Sequence, residues 1–193
     1  MMNTPGIGST LAIALIHYPV YDKNRQLVAT AITNLDLHDI ARSSRTFGLD
    51  RYYVVTPIKP QQELAERIAH HWREGWGAEY NPKRKSALEI MTVSDNLDDA
   101  LSDMTQRLGR PPKIVVTGAK GHPGSIRCEA FRELIKDGAG PFLLLFGTGW
   151  GVTEEIFARA DHVLEPIRGP GEYNHLSVRS AAAIILDRLC GER

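Results

Sequence analysis

The chain has 193 residues, and its 23 Lys and Arg balance 23 Asp and Glu, so the formal net charge is zero. This balance excludes a globally basic nucleic-acid-binding protein, although a local basic face is still compatible with it. With 42% hydrophobic residues the chain can bury a sizeable core, and its length favours one domain over residues 1–193. Only two cysteines occur, which excludes a disulfide framework and indicates a reducing, cytoplasmic setting.

No targeting or membrane segment is expected. The first apolar run, Leu11–Ile16, has no basic cluster before it and is too short for a signal peptide or a membrane span. A continuous apolar run of this length is typical of a strand that is buried on both faces, as in a parallel sheet. We therefore interpret it as the first strand.

Strand patterns alternate with helical patterns along the rest of the chain. Further strands are predicted at residues 27–32, 51–56, 88–93, 113–117 and 142–146. Helices are predicted at residues 34–47, 61–72, 97–108 with Asp95 as cap, 125–136, and in an alanine-rich segment that starts at Ser177. Residues 74–87 are the least regular part. The alternation predicts an α/β fold with a mainly parallel sheet sandwiched by helices.

The last third carries three loops that each follow an apolar segment. They are the glycine turn at 147–151, residues 164–169 and residues 173–177. Glycines permit positive φ and a close approach of a ligand to the backbone, although an ordinary strand–helix turn is the alternative. The turn does not match the dinucleotide fingerprint, because neither the later glycine nor the acidic residue is in place. The three loops could converge on one ligand.

Two stretches resemble the SPOUT class of RNA methyltransferases. Residues 40–48, IARSSRTFG, followed by a strand, match its first motif and place Arg42 at the arginine position of that motif. The glycine turn, the Ile-containing loop and the Asn/Ser-Val segment before an alanine-rich helix are similar to its cofactor region. With ALIHYPVYDKN and TNLDLHDIARS, the chain looks like a subfamily found alone or fused to a tRNA guanine methyltransferase.

The resemblance implies a C-terminal trefoil knot that binds S-adenosylmethionine, a homodimer, and methyl transfer to a nucleotide of tRNA or rRNA. A module that binds cofactor and RNA without turnover, and an unrelated nucleotide-binding protein with a doubly wound sheet, are the alternatives. The cofactor-binding residues that the resemblance implies are Thr117, Phe146, Gly147, Thr148, Gly149, Gly151, Leu164, Glu165, Pro166, Ile167, Gly169, Asn174, His175, Leu176, Ser177 and Ala181.

The chain departs from the 2′-O-methylating branch of the class at three places. Asp36 stands where that branch has Asn, and the glycine turn lacks its usual Glu. The C-terminal motif reads His175-Leu176-Ser177-Val178 in place of Asn-Val-Ser-Val, with Asn174 one position earlier. Methylation of a base therefore remains as open as methylation of a 2′-hydroxyl.

Methyl transfer from a sulfonium requires orientation of the partners and a base for the acceptor's proton. Asp36 and Asp39 are the acidic candidates, with His38 as a third, although Asp36 could equally cap the helix that follows. Arg42 could polarise the acceptor or hold a phosphate, and a solvated helix face is its alternative role. The adjacent histidines His70 and His71 would point in different directions from a helix and could not bind one metal ion together, so we expect no metal site.

A second cluster suggests contact with RNA. Lys83-Arg84-Lys85 lies a few residues after Trp76 and Tyr80, which combines positive charge with rings that can stack on bases. Runs of charge are more often merely solvated, and that alternative stays open at the level of the sequence.

Overall fold

The computed structural model describes residues 11–192, and these contain two sheets. The strands are β1 (Leu11–Ile16), β2 (Val20–Tyr21), β3 (Leu27–Val28), β4 (Tyr52–Val55), β5 (Met91–Ser94), β6 (Lys113–Val116), β7 (Phe142–Gly147) and β8 (His162–Val163). Six of them form a sheet of order β5-β4-β1-β7-β6-β8, in which every pair is parallel. The short β2 and β3 form a separate antiparallel hairpin.

Helices cover both faces of the six-stranded sheet. They are α1 (Asn34–Thr46), α2 (Lys59–Arg73), α3 (Trp76–Tyr80), α4 (Pro82–Leu88), α5 (Leu97–Leu108), α6 (Cys128–Lys136), α7 (Glu154–Ala158) and α8 (Val178–Cys190). Core residues of α1, α2, α4, α6 and α8 pack on one face, and those of α5 and α7 on the other. The predicted α/β sandwich with a mainly parallel sheet is confirmed.

The central position of β1 in the sheet explains why its sequence is apolar at every position. Successive side chains of a strand point to opposite faces, so Leu11, Ile13 and Leu15 enter one core cluster while Ala12, Ala14 and Ile16 enter the other. The strand is paired on both sides, by β4 and β7. A strand with helices on both faces has no exposed side and needs no polar alternation.

Several local predictions were wrong, each for a physical reason. The strand predicted from residue 88 begins only at Met91, because Leu88 still belongs to α4. Residues 29–32 are not a strand, because the Thr30 N–H donates to the carbonyl of His17 and carries the chain across the end of β1. Residues 74–87 are mostly helical: Pro82 opens α4, and Asn81 caps it by accepting from the Arg84 N–H at 3.0 Å. Helix α6 begins three residues later than residue 125, at Cys128, because Ile126 pairs with β8 first.

Helix ends follow capping rules, with one shift of position. The cap of α5 is Asn96, whose side chain accepts from Asp99 N, whereas Asp95 binds Lys59 at 3.0 Å. Thr33 caps α1, and Gly48 lies just beyond that helix with a φ of 80°. None of the helices in residues 11–192 is long and apolar enough to cross a membrane.

Candidate active site

The loops that follow β1, β6, β7 and β8 leave the sheet at the same edge. All four strands are parallel neighbours, so their carboxyl ends coincide, and open α/β sheets bind ligands there. The loop after β8 lies directly beside that after β6, because Leu164 N donates to Val116 O at 2.8 Å. Thr117, Gly147 and Leu164, predicted on separate stretches of sequence, are thereby brought to one edge.

Two glycines of the turn after β7 lie against the protein's own backbone, Gly149 against the β2–β3 hairpin and Gly147 against the end of the turn itself. A Cβ on Gly149, whose φ is 59°, would lie 2.8 Å from Tyr21 O, and one on Gly147 would lie 2.7 Å from Val152 N. Trp150 N donates to Tyr21 O at 2.9 Å and completes the junction. These two glycines therefore admit the protein's own backbone. Gly151, with a φ of 97°, has no atom within 4 Å of such a Cβ.

A chain of hydrogen bonds anchors the same turn to β1. Thr148 Oγ1 donates to Ile16 O at 2.9 Å and lies 2.5 Å from Thr30 Oγ1, which in turn is 3.0 Å from His17 Nδ1. His17 is 1% exposed, and this burial lowers its pKa to about 4 against the raising effect of Asp36. Neutral His17 and Thr148 thus fix the turn in place, a role that the sequence did not reveal.

The loop after β8 and the segment before α8 are held by side chains that were predicted to touch the cofactor. The Glu165 carboxylate accepts from Cys128 N at 3.1 Å and so caps α6. Asn174 Nδ2 donates to Ala119 O at 2.7 Å, which joins this segment to the loop after β6. Ser177 accepts from Ser180 N and caps α8, as its sequence position indicated.

Between these anchors lies a segment whose backbone groups make no backbone hydrogen bonds within the described part of the chain. Among residues 11–192, no backbone N–H or carbonyl from Pro166 to Leu176 makes a backbone hydrogen bond. A Cβ on Gly169 or Gly118 would meet nothing within 4 Å. Unpaired donors and acceptors beside open space are what a ligand with a planar hydrogen-bonding edge, such as adenine, requires. The residues present therefore fit a nucleoside-containing cofactor.

The remaining predicted cofactor residues divide by burial. Phe146, Leu164 and Pro166 are buried, and the hydroxyl of the buried Thr117 donates to Leu145 O at 2.9 Å. Ile167 and Ala181 are half-buried, and His175 and Leu176 are exposed. The buried members thus belong to the protein interior, and the others lie nearer the surface.

Asp36 and Asp39 meet at an arginine that the sequence reading missed. Arg179 Nη1 lies 3.2 Å from Asp36 Oδ1, and Arg179 Nε lies 3.6 Å from Asp39 Oδ2. Arg179 follows the Ser177 cap of α8 by two residues, so it stands where the cofactor segment becomes helix. The sequence signal that could have revealed this role is the position of Arg179, a charged residue at the start of a helix that is otherwise rich in alanine and apolar residues.

The carboxylates of Asp36 and Asp39 differ in their exposure and in their number of partners. Asp36 is 7% exposed and also accepts from the Thr33 hydroxyl at 2.7 Å. The side chain of Asp39 is 45% exposed, and Arg179 is its one ion-pair partner in the described residues. Helix capping by Asp36, the alternative left open above, falls instead to Thr33.

Arg42 lies apart from this group on α1. It is exposed and makes no ion pair within residues 11–192. Its electrostatic neighbour is His38, whose pKa is lowered by burial first and then by the positive charges of Arg84 and Arg42. The structure thus joins Asp36 to Asp39 through Arg179 and leaves Arg42 exposed and outside this group of ion pairs.

No cluster of three or more His, Cys, Asp or Glu within the described chain could hold a metal ion. The arrangement consists of loops at the carboxyl ends of four parallel strands, with the carboxylate–arginine group at the start of α8 after them.

Solved methyltransferase structures share this fold. The SpoU methyltransferase AviRb from Streptomyces viridochromogenes, in complex with AdoMet, matches 95% of this chain over 57% of its own length, with a TM-score of 0.58 and 16% identity. The TrmH/SpoU tRNA modifying enzyme of A. aeolicus matches 94% of this chain over 74% of its own, with a TM-score of 0.55 and 20% identity. The fold is thus that of the SPOUT methyltransferases.

The family follows from sequence. Residues 10–191 match the family of SAM-dependent RNA methyltransferases, and the chain belongs to that family. It is 44% identical over 185 residues to the tRNA (guanine-N(1)-)-methyltransferase of Oleidesulfovibrio alaskensis, covering 96% of this chain and 43% of that protein. An uncharacterized protein of Aquifex aeolicus is 38% identical over 183 residues, covering 95% and 89%.

These matches confirm the SPOUT resemblance and S-adenosylmethionine as the cofactor of the family. The chain spans less than half the length of the curated tRNA methyltransferases that it matches.

Proposed function

We propose that this chain transfers a methyl group from S-adenosylmethionine to a nucleotide of tRNA or rRNA. The observation that carries the proposal is the Asp36–Arg179–Asp39 group at the start of α8, directly after the open segment Pro166–Leu176. We place tRNA first, because relatives at 44% identity are named tRNA methyltransferases. Family membership does not favour the alternative of a module without turnover.

The cofactor is proposed to lie against the unused backbone of Pro166–Leu176. Backbone groups of Ile167, Gly169 and Leu176 would bind the adenine edge, and the buried Leu164 and Phe146 would form the apolar floor. Ser177 and Ala181 would line the side formed by α8. Thr148 and Glu165 would act indirectly, by holding their loops. A trefoil knot of the C-terminal segment is part of this proposal.

S-adenosylmethionine, when bound, supplies an electrophilic methyl group on a positively charged sulfonium. Asp39 would accept the proton that the acceptor loses, because its carboxylate is half-exposed and only loosely paired. Asp36 would position Arg179, since it is buried and already accepts two hydrogen bonds. Arg179 would orient Asp39, because it lies between the two carboxylates.

Arg42 is proposed to hold a phosphate or the acceptor, because it is exposed and free of carboxylate partners in the described part of the chain. It makes no ion pair with Asp36 or Asp39. The side chain would therefore complete either its own site through the bound RNA or the site of a second subunit.

A homodimer is also proposed, because large apolar side chains are exposed near the starts of two helices. Leu35, Tyr173 and Leu176, at the starts of α1 and α8, are 59%, 81% and 47% exposed. Large exposed apolar side chains gathered at one end of a fold mark a surface that is covered in the assembled protein. Light scattering at micromolar concentration should give twice the chain mass, and Leu35→Asp with Leu176→Asp should give the monomer.

The function is tested by two measurements on the same preparation. Calorimetry should detect S-adenosylmethionine, and absence of binding at millimolar cofactor would overturn the assignment. Labelled methyl should pass to total RNA from a strain that lacks the gene. Binding without transfer would support the module instead.

A further inference from the structure

An exposed aromatic pair on α3 lies outside the site described above. Trp76 is 68% exposed and Tyr80 is 70% exposed. The two rings stack one turn apart, with centroids 4.7 Å from each other and planes inclined by 20°. Each ring shields one face of the other, so the outer faces stay open to solvent. Exposed apolar groups of this size mark interaction sites.

The helix that carries the pair is fixed in position by α2. A Cβ on the buried Gly77 would lie 2.7 Å from Trp72 Cε3 and 2.9 Å from His71 Nε2, so only glycine allows this contact. The backbone of α3 at Gly77 therefore packs directly on the Trp72 and His71 side chains of α2. The exposed rings are therefore presented in one orientation, which reduces the entropy that binding must overcome.

Three cations follow the aromatic pair on α4. Lys83 is exposed, Lys85 is half-buried, and the guanidinium of Arg84 lies 4.4 Å from the ring centre of Trp72. None of the three pairs with a carboxylate in the part of the chain that the structure describes. In a chain with zero net charge, such a cluster creates a local positive field.

Helix α4, which carries these cations, is joined to α1 by a hydrogen bond, and a cleft lies between α1 and α2. Arg45 Nε lies 3.1 Å from Ser86 Oγ and ties α4 to α1, which also bears Arg42. A cleft of about 240 Å³, bounded by Arg67 and Trp72 among others, reaches Asn34 at the start of α1. A strand bound over α3 and α4 would therefore lie beside α1, the helix that bears Arg42.

We propose that Trp76, Tyr80, Lys83, Arg84 and Lys85 form an RNA-docking surface, called here the α3–α4 surface, for an unpaired stretch of the substrate. An unpaired base extends the Trp76–Tyr80 stack, and the cations bind the flanking phosphates. An acidic protein segment could use the cations but has no flat group for the outer ring faces, so RNA fits better. The inference rests on the proposed RNA substrate but concerns docking, not chemistry.

The test measures affinity of the full chain for an RNA hairpin with a single-stranded loop and for a blunt RNA duplex of equal charge. Trp76→Ala with Tyr80→Ala should weaken hairpin binding about 10-fold or more and change duplex binding little. Lys83→Gln with Lys85→Gln should weaken both and lower the salt dependence. Lys23→Gln with Lys136→Gln removes equal charge elsewhere and should change neither.

The outcomes separate docking from catalysis. All variants should bind S-adenosylmethionine like the wild type, and any methyl transfer should show a raised KM for RNA at unchanged kcat. Unchanged hairpin affinity in the aromatic variant would overturn the proposal. Loss of binding to polyglutamate with RNA binding intact would assign the surface to a protein. If the aromatic variant loses affinity for the hairpin but the wild type itself transfers no methyl group, docking would be supported and the proposed function refuted.

Discussion

Arg179 Nη1 lies 3.2 Å from Asp36 Oδ1 and joins residues that are 143 positions apart in the chain. The pair connects the first helix to the last, and so connects the half of the site that carries the acids to the half that follows the cofactor loops. Because Asp36 is 7% exposed, its charge depends on this arginine and on the Thr33 hydroxyl for compensation.

Replacing Arg179 by Gln should therefore affect both stability and turnover. The loss of a charge-assisted hydrogen bond to a buried carboxylate should cost about 1–3 kcal/mol of unfolding free energy in urea titrations. Methyl transfer should fall further than the unfolded fraction explains, because Asp39 loses its orienting partner. Asp36→Asn with Arg179→Gln should recover stability but not turnover; recovery of both would show that the pair is only structural.

Arg42→Ala should leave stability within about 0.5 kcal/mol of the wild type, since the side chain is exposed and has no ion-pair partner among residues 11–192. If Arg42 binds the acceptor or its phosphate during transfer, kcat should fall by about 10²–10³. Arg110→Ala, an exposed arginine at the end of α5, is the matched control. Equal activities of the two variants would remove Arg42 from the site.

Stability should decrease as the pH falls from about 6.5 towards 4, in part because of His17. Burial lowers the pKa of this side chain to about 4 in the folded state, so the unfolded chain binds the extra proton first. The stabilisation is complete above the unfolded pKa and is lost below it, by up to about 3 kcal/mol. His17→Gln should flatten this part of the stability curve; an equally steep curve would contradict the buried, neutral state.

The glycines of the two loops should behave differently. Gly149→Ala forces a side chain into a φ of 59° and towards Tyr21 O, and should cost about 1–3 kcal/mol. Gly169→Ala meets nothing within 4 Å and should change the unfolding free energy by less than about 0.5 kcal/mol. The larger Gly169→Val should weaken S-adenosylmethionine binding in calorimetry without unfolding the chain, and unchanged affinity would place the cofactor elsewhere.

Sequence periodicity located five of the six strands of the main sheet, and the two-residue β8 was missed. The apolar runs at β1 and β7 and the amphipathic repeats of α1, α2 and α5 are local signals, and their burial on both faces follows from the parallel arrangement. Periodicity failed at α3 and α4, because α3 depends on the Gly77 contact with Trp72 and α4 is too short to show an apolar repeat, although Asn81 and Pro82 mark its start. A contact between two helices leaves no trace in the periodicity of either.

The candidate site was predictable only in part for the same reason. Motif resemblance indicated Asp36, Asp39 and the loops, but the partner of the two acids, Arg179, is more than a hundred residues away and belongs to no local pattern. The prediction that Gly149 contacts a ligand also lacked the hairpin, since the Tyr21 carbonyl that lies beside it comes from another part of the chain. Long-range pairing decides both cases.

The central claim is tested most directly by incubating the full chain with labelled S-adenosylmethionine and tRNA or rRNA from a strain that lacks the gene, followed by nucleoside analysis. The wild type should place the label in one kind of methylated nucleoside. Asp39→Asn should bind S-adenosylmethionine with unchanged affinity and transfer little label. Cofactor binding by the wild type with no label in either RNA would contradict the account.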